Sequence, residues 1–234
     1  KQEYKVYQAI KKLGICDTVR FIDPETGYKL TEFIENARCC DAGNEQEVRA
    51  CMQVLRRFHQ SGIQVGHAFD IFERMEYYES LWKGEPSCYR DYEKTKAKVY
   101  ELKEYLDQQP KHLGLCHIDS VSDNFLMTEN QIRLIDWEYA GMQDTDVDIA
   151  MFAVYAMYDK NQVDQLIQAY YIEGCEAPVR VKIYAYIAVC GLLWSNWCEV
   201  KRREGVEFGE YSLRQYRYAK EYYKYVKEEQ KNVI

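Results

Sequence analysis

Residues 113–141 read LGLCHIDSVSDNFLMTENQIRLIDWEYAG. His117, Asp119, Asn124 and Asp136 sit in this stretch between apolar runs that read as buried strands. HLGLCH (112–117) follows Pro110 and reads as one short strand. NFLMTENQIRLIDW (124–137) divides into FLM and IRLI around a Glu-Asn turn, which is the pattern of a β-hairpin. A hairpin of that length brings its ends together, so Asp119, Asn124 and Asp136 should converge at one edge of a small sheet. Two carboxylates and an amide oxygen offer the hard oxygen ligands that Mg²⁺ prefers. Phosphoryl transfer from a nucleotide needs the same parts: one carboxylate to orient the acceptor hydroxyl, and a second with an amide to hold the metal. Turns and helix caps use these residue types too. The joint spacing of all four positions is what favours a site.

Working outward, EYKVYQAIKKLG (3–14) has helical spacing and stops at a Gly. TVRFIDPETGYKLTEFI (18–34) reads as a hairpin around Pro-Glu-Thr-Gly, and ENARCCDAGN (35–44) as an irregular connector. EQEVRACMQVLRRFHQSG (45–62) is an amphipathic helix with Val48, Cys51, Met52, Leu55 and Phe58 on one side. Two more helices are expected at 69–83 and 88–108. After Gly141 the pattern is helical almost without break, at 146–159, 161–172, 179–203 and 210–230. The fold class is therefore α+β with a mostly helical C-terminal part. His59 and His67 read as ordinary surface or packing residues.

The chain has 234 residues, 47% of them apolar, and a net charge of −7. The charge argues against a general nucleic-acid binder, which wants a basic face. No apolar run is expected to reach the length of a membrane span. Nine Cys without a CxxC pair or a disulfide framework read as reduced thiols of a cytoplasmic protein. Cys116, between apolar neighbours, reads as a core residue rather than a nucleophile.

The pattern H-x-D-x-x-x-x-N, followed by a hairpin and I-D-W-E, resembles the kinase-like phosphotransferases. Val121 and Glu138 stand where protein kinases commonly have Lys and Gly, and no A-P-E segment follows. These departures resemble the small-molecule branch: aminoglycoside phosphotransferases and choline/ethanolamine kinases. CHIDSVSDNFL and IRLIDWEYAG are similar to the bacterial choline kinase form, and DTDVDIA (144–150) to that branch's acidic segment. The resemblance implies a protein-kinase-like bilobal fold with a truncated N-lobe (1–36) and a mostly helical C-lobe (37–234). Asp119 would be the catalytic base, with His117 bracing its loop. Asn124 and Asp136 would bind Mg²⁺ and, through it, ATP. Glu3 would be the nucleotide-side Glu of an αC-like helix, and Asp144 and Asp148 would brace or extend the site. The resemblance also implies a Gly-rich loop and a Lys-bearing strand upstream of Lys1. The expectation is that the sequence is part of a longer protein and that, as written, it would bind ATP poorly.

For the acceptor, the resemblance implies choline, a quaternary ammonium that aromatic faces hold by cation–π attraction. Trp194 and Trp197 share a helix face, and Tyr139 follows the second motif; all three match aromatic positions of the choline pocket. Trp194 and Trp197 are, by pattern alone, equally suited to a core. Where eukaryotic relatives have a Glu in the helix after the acidic segment, this chain has Val154 and Tyr155. Ethanolamine, an aminoglycoside, and a non-catalytic kinase-like binding module stay open as alternatives.

Overall fold

The computed structural model describes residues 1–232. The chain divides into two units, one of Lys1–Phe69 with Lys111–Cys175, the other of Asp70–Pro110 with the residues from Glu176 onward.

In the first unit, α1 (Gln2–Ile10) buries Val6, Tyr7 and Ile10. The expected hairpin forms as β1 (Val19–Ile22) and β2 (Lys29–Thr31), antiparallel. Its turn closes from Gly27 N to Asp23 O at 2.9 Å, with Gly27 at φ 80, where a side chain would be strained. Part of the connector is a strand: β3 (Arg38–Cys39). It is only two residues long, too short for an alternating pattern to show. α2 (Glu45–His59) is capped by Asn44, whose side chain accepts from the Gln46 and Glu47 amides. It buries the expected residues and Val54. β4 (Leu113–Cys116), β5 (Phe125–Met127) and β6 (Ile132–Leu134) follow. β3, β5 and β6 make one antiparallel sheet in that order, with Phe125 opposite Leu134.

The stretch after Gly141 is not helical at first. Gly141–Asp144 is a strand, β7, paired antiparallel with β4. Here the chain squeezes past Ala68–Phe69. A Cβ on Gly141 would stand 2.9 Å from the Phe69 nitrogen, so only Gly fits this approach. α5 (Asp146–Tyr155) and α6 (Lys160–Tyr170) complete the unit, α6 packing on α2.

The second unit holds α3 (Ile71–Ser80), α4 (Tyr92–Asp107), α7 (Ala177–Arg203) and α8 (Glu210–Asn232). Contrary to the sequence expectation, α7 is long and apolar enough to cross a membrane: 27 residues, with mean hydropathy 1.3 in its most apolar window. That window is 72% buried, because α8, α3 and α4 pack around it. Its apolar residues serve the core of this unit.

α7 and α8 approach closely at Gly191. A Cβ there would lie 2.6 Å from Tyr218 Cβ and 2.8 Å from Gln215 O, neither of which is the end of a flexible side chain. Ala at a helix interior gains about 1 kcal/mol over Gly from propensity, while overpacking costs about 1–3 kcal/mol. Because the clash is with backbone and a Cβ, Gly191→Ala should destabilise the protein by about 1–2 kcal/mol net. Urea denaturation checks this, and a midpoint higher than wild type would refute the close approach.

Candidate active site

β4 delivers the chain into the loop His117–Asn124, which reaches β5 through a 3₁₀ turn at Ser122–Asn124. The hairpin ladder extends one step beyond Phe125 and Leu134: Ile135 N donates to Asn124 O at 2.9 Å. This bond sets Asn124 beside Asp136. From the other side, Asn124 Nδ2 donates to Asp119 O at 2.8 Å and to Asp119 Oδ2 at 3.0 Å. Asp119, Asn124 and Asp136 thus meet at one sheet edge.

The site is electrostatically crowded. Burial pushes the Asp119 carboxyl up to about 6; the Asn124 hydrogen bond opposes this, and the charges of Asp136, Glu138 and Asp148 add to it. With Asn124 Nδ2 committed to Asp119, the Asn124 atom left for a cation is Oδ1. Together with the Asp136 carboxylate it forms a hard oxygen donor pair of the kind Mg²⁺ takes.

Two residues here have left-handed backbone: Ile118 at φ 71 and Asp136 at φ 65. A β-branched residue in that region is strained by about 1–3 kcal/mol and persists only when its surroundings hold it. Asp148, in the first turn of α5, does the holding. Its Oδ1 accepts from Ile118 N at 2.7 Å, and its Oδ2 from His117 N at 2.8 Å and His59 Nε2 at 2.8 Å. Ser120 Oγ donates to the Asp148 main-chain oxygen at 2.7 Å. His59 is thus more than a packing residue: it clamps Asp148 from α2, with the Tyr170 hydroxyl 2.7 Å from its other ring nitrogen. In sequence, His59 lies 58 residues before His117 on an amphipathic helix, and nothing local marks it. His67 packs with Nε2 2.8 Å from Ala140 O.

His117 is fully buried, and burial holds its pKa below the usual range, which keeps the ring neutral. Its Nε2 donates to Ile135 O at 2.9 Å, and its ring meets Trp137 edge-on at 4.5 Å. The His therefore ties the first motif to the residue before Asp136. Trp137 is buried under the site against Phe58, its Nε1 donating to Leu134 O. Cys116 is buried, and burial raises its thiol pKa well above normal, so it stays an unreactive thiol. No disulfide forms among the described residues, which include all nine cysteines.

Glu3 on α1 is engaged by Lys29 of β2 at 2.6 Å, and Lys29 Nζ also lies 3.3 Å from Tyr7 OH. Tyr139, in the first unit, is half-buried and meets Phe69 edge-on at 6.3 Å. Trp194 and Trp197 lie in the second unit, half-buried, in a T-shaped pair 5.8 Å apart. Phe208 packs on Trp197 at 5.0 Å and Tyr211 on Phe208 at 6.2 Å, which extends the aromatic row. Lys201 Nζ stands 6.0 Å over the Trp197 ring.

A family model described as choline/ethanolamine kinase matches residues 26–189. Protein LicA of Haemophilus influenzae is 27% identical over 229 residues, spanning 91% of this chain and 84% of that protein. The crystal structure of choline kinase LicA from Streptococcus pneumoniae superposes with a TM-score of 0.82 at 27% identity, covering 95% of this chain and 79% of that one. A structure of LicA in complex with AMP gives 0.83 at 26% identity, covering 96% and 78%. The architecture is that of the protein-kinase-like choline kinases, α+β with a mostly helical C-terminal part.

Proposed function

We propose choline as the acceptor: the chain belongs to the choline/ethanolamine kinase family and is an ATP-dependent phosphotransferase acting on an alcohol group. The convergence of Asp119, Asn124 and Asp136 at one sheet edge carries the mechanistic reading. Asp119, the half-buried carboxylate held by Asn124, orients the acceptor hydroxyl and takes its proton late in transfer. The hydroxyl oxygen forms the new bond to the γ-phosphorus, the bond to the β-phosphate oxygen breaks, and ADP leaves. Asn124 Oδ1 and Asp136 would hold Mg²⁺. When bound, the ion neutralises charge on the phosphate oxygens. His117 and Asp148 position the loop and touch neither reactant.

A quaternary ammonium cannot donate a hydrogen bond and is held best on aromatic faces, whereas a primary ammonium wants several acceptors. The row Trp194–Trp197–Phe208 offers such faces, and the ammonium of Lys201 already lies over one of them. Tyr139 is retained as a choline contact on the strength of the resemblance, and Glu3 as a nucleotide-side residue. The product is then phosphocholine.

ADP release coupled to NADH oxidation tests the assignment with choline, ethanolamine and an aminoglycoside as acceptors. The expected kcat/KM for choline exceeds that for ethanolamine by about tenfold or more, since three methyl groups meet aromatic carbon. Preference for ethanolamine or the aminoglycoside would replace choline. Turnover of none of them would leave the reading without a substrate.

A further inference from the structure

α7 ends in the basic run Lys201–Arg202–Arg203, and its three cations are engaged differently. Arg202 and Arg203 both close on Glu199 Oε2, at 2.9 and 2.8 Å, and that carboxylate is buried. Arg203 also donates to Pro86 O at 2.9 Å, with its guanidinium 5.0 Å over the Trp82 ring. These contacts tie the end of α7 to the segment between α3 and α4, within the same unit. Lys201 is engaged elsewhere. It stands one turn after Trp197 on the same helix face, with Nζ 6.0 Å from the centroid of the Trp197 ring. The same Nζ lies 2.7 Å from Glu204 Oε2, at the C-cap of α7. The Lys201 side chain is 35% exposed and that of Glu204 54%. Water solvates an ammonium at such a position well, and holding a long side chain in one arrangement costs entropy.

Two uses of this Lys are chemically open. Its methylene stem can serve as a wall that covers the indole, or its ammonium can serve as a competitor for the ring. The Trp197 ring is the surface proposed above for the onium group of the acceptor. A tethered ammonium and a trimethylammonium make the same kind of contact with it, and two cations repel each other at one ring. The position of Nζ favours the second use, because the charged end, and not the stem alone, is placed over the ring and beside a carboxylate. We infer that Lys201 is a built-in competitor for the acceptor: the ammonium and the onium group alternate on Trp197, and Glu204 keeps the ammonium when a cationic alcohol is bound. This rests on the onium-alcohol reading above. It makes Lys201 a residue that sets affinity for the acceptor and leaves the rate of transfer to the catalytic loop.

The test compares the KM for choline in wild type, Lys201→Met and Lys201→Arg by ADP release. Met keeps an aliphatic stem and drops the charge. Lys201→Met should lower the KM for choline by about two- to fivefold, the fold-change of one exposed cation–π contact, with kcat within about twofold of wild type. Lys201→Arg should leave that KM at the wild-type value or above it, because a guanidinium also stacks on an aromatic face. Titration with tetramethylammonium chloride, read by Trp fluorescence, should show binding to Lys201→Met tighter than to wild type by the same factor. A KM for choline that is unchanged or higher in Lys201→Met overturns the inference, and a higher one marks the stem as a wall. A lower KM in Lys201→Arg overturns it as well, as does an effect confined to kcat. If wild type turns over choline and Lys201→Met binds it no better, this inference alone fails. If wild type turns over no onium alcohol, the proposed acceptor fails and takes this inference with it. Should Lys201→Met not fold, Lys201→Gln decides the question by the same KM.

Discussion

Asp119→Asn should lower kcat by about 10³ and at the same time make the metal-free protein more stable above pH 6. Both effects come from one fact: the fold holds a carboxylate in a place that resists its charge, with a pKa pushed up to about 6 by burial. Asn keeps the shape, and its Oδ1 can still accept from Asn124 Nδ2, so the loop should stay in place. What is lost is the proton acceptor. The sign of the stability effect follows from linkage. A folded pKa above the unfolded value of about 3.9 means the folded state binds the extra proton, so that contribution is fully present below about pH 4 and is lost as pH rises through about 6. The gap of about two pKa units corresponds to about 2–3 kcal/mol at pH 7.5. Asn carries no charge and should recover much of it. Urea denaturation in EDTA should therefore show the variant ahead of wild type at pH 7.5 and level with it near pH 4. Equal stability at both values would show that Asp119 is not desolvated. The wild-type kcat profile should fall on the acid side as Asp119 protonates, with bound Mg²⁺ moving that limb to lower pH. A variant with kcat within tenfold of wild type would remove Asp119 as the base.

The part of this site that could be read from sequence was the part encoded by spacing. A hairpin's register is a counting relation, so the interval between Asn124 and Asp136 already implies that they meet. The ladder from Phe125–Leu134 to Asn124–Ile135 realises it. The apolar face of α2 was legible for the same reason, since a 3.6-residue period survives in composition. β3 and β7 were not. Two and four residues long, they carry no usable alternation, and their pairing with β5 and β4 is decided by tertiary neighbours. Gly141 marks β7 only once Phe69 is known to lie against it. The apolar content of α7 is likewise hard to see in the sequence, because Lys and Arg at its end and scattered polar residues interrupt a segment that is nonetheless buried on most sides.

His59 and Asp148 show the sharper limit. Asp148 could be anticipated as a bracing acid from the resemblance of DTDVDIA, but a carboxylate in the first turn of a helix has a sufficient local explanation in the helix dipole. Its work is non-local. It receives two backbone amides from the catalytic loop and one imidazole from α2, which are 31, 30 and 89 positions away in sequence. No periodicity connects such positions. The strained φ at Ile118, which makes the clamp necessary, is likewise invisible until the backbone is seen.

That clamp sets the second large effect. Asp148→Ala should destabilise the protein by about 3–5 kcal/mol, the range for removing one member of a buried charged network. Against a typical total of about 5–15 kcal/mol, this is a large share. The cost arises because the His117 and Ile118 amides and His59 Nε2 lose their acceptor together, and Ile118 loses what keeps it at positive φ. With the loop relaxed, Asp119 moves away from the acceptor oxygen, and a misplacement of about 1 Å costs about 10² in kcat. Asp148→Asn separates loss of shape from loss of acceptors. It fills the same volume but turns an NH₂ toward at least one of three donors, so it should cost about half as much as Ala. Hydrogen exchange gives the specific signature: the His117 and Ile118 amides, protected in wild type, should exchange faster in both variants while the β5–β6 ladder keeps its protection. A double-mutant cycle with His59→Ala should be strongly non-additive, by about 1 kcal/mol or more, because either change alone orphans the other residue. Additive energies, or unchanged exchange at Ile118, would mean that the loop holds its left-handed turn without Asp148.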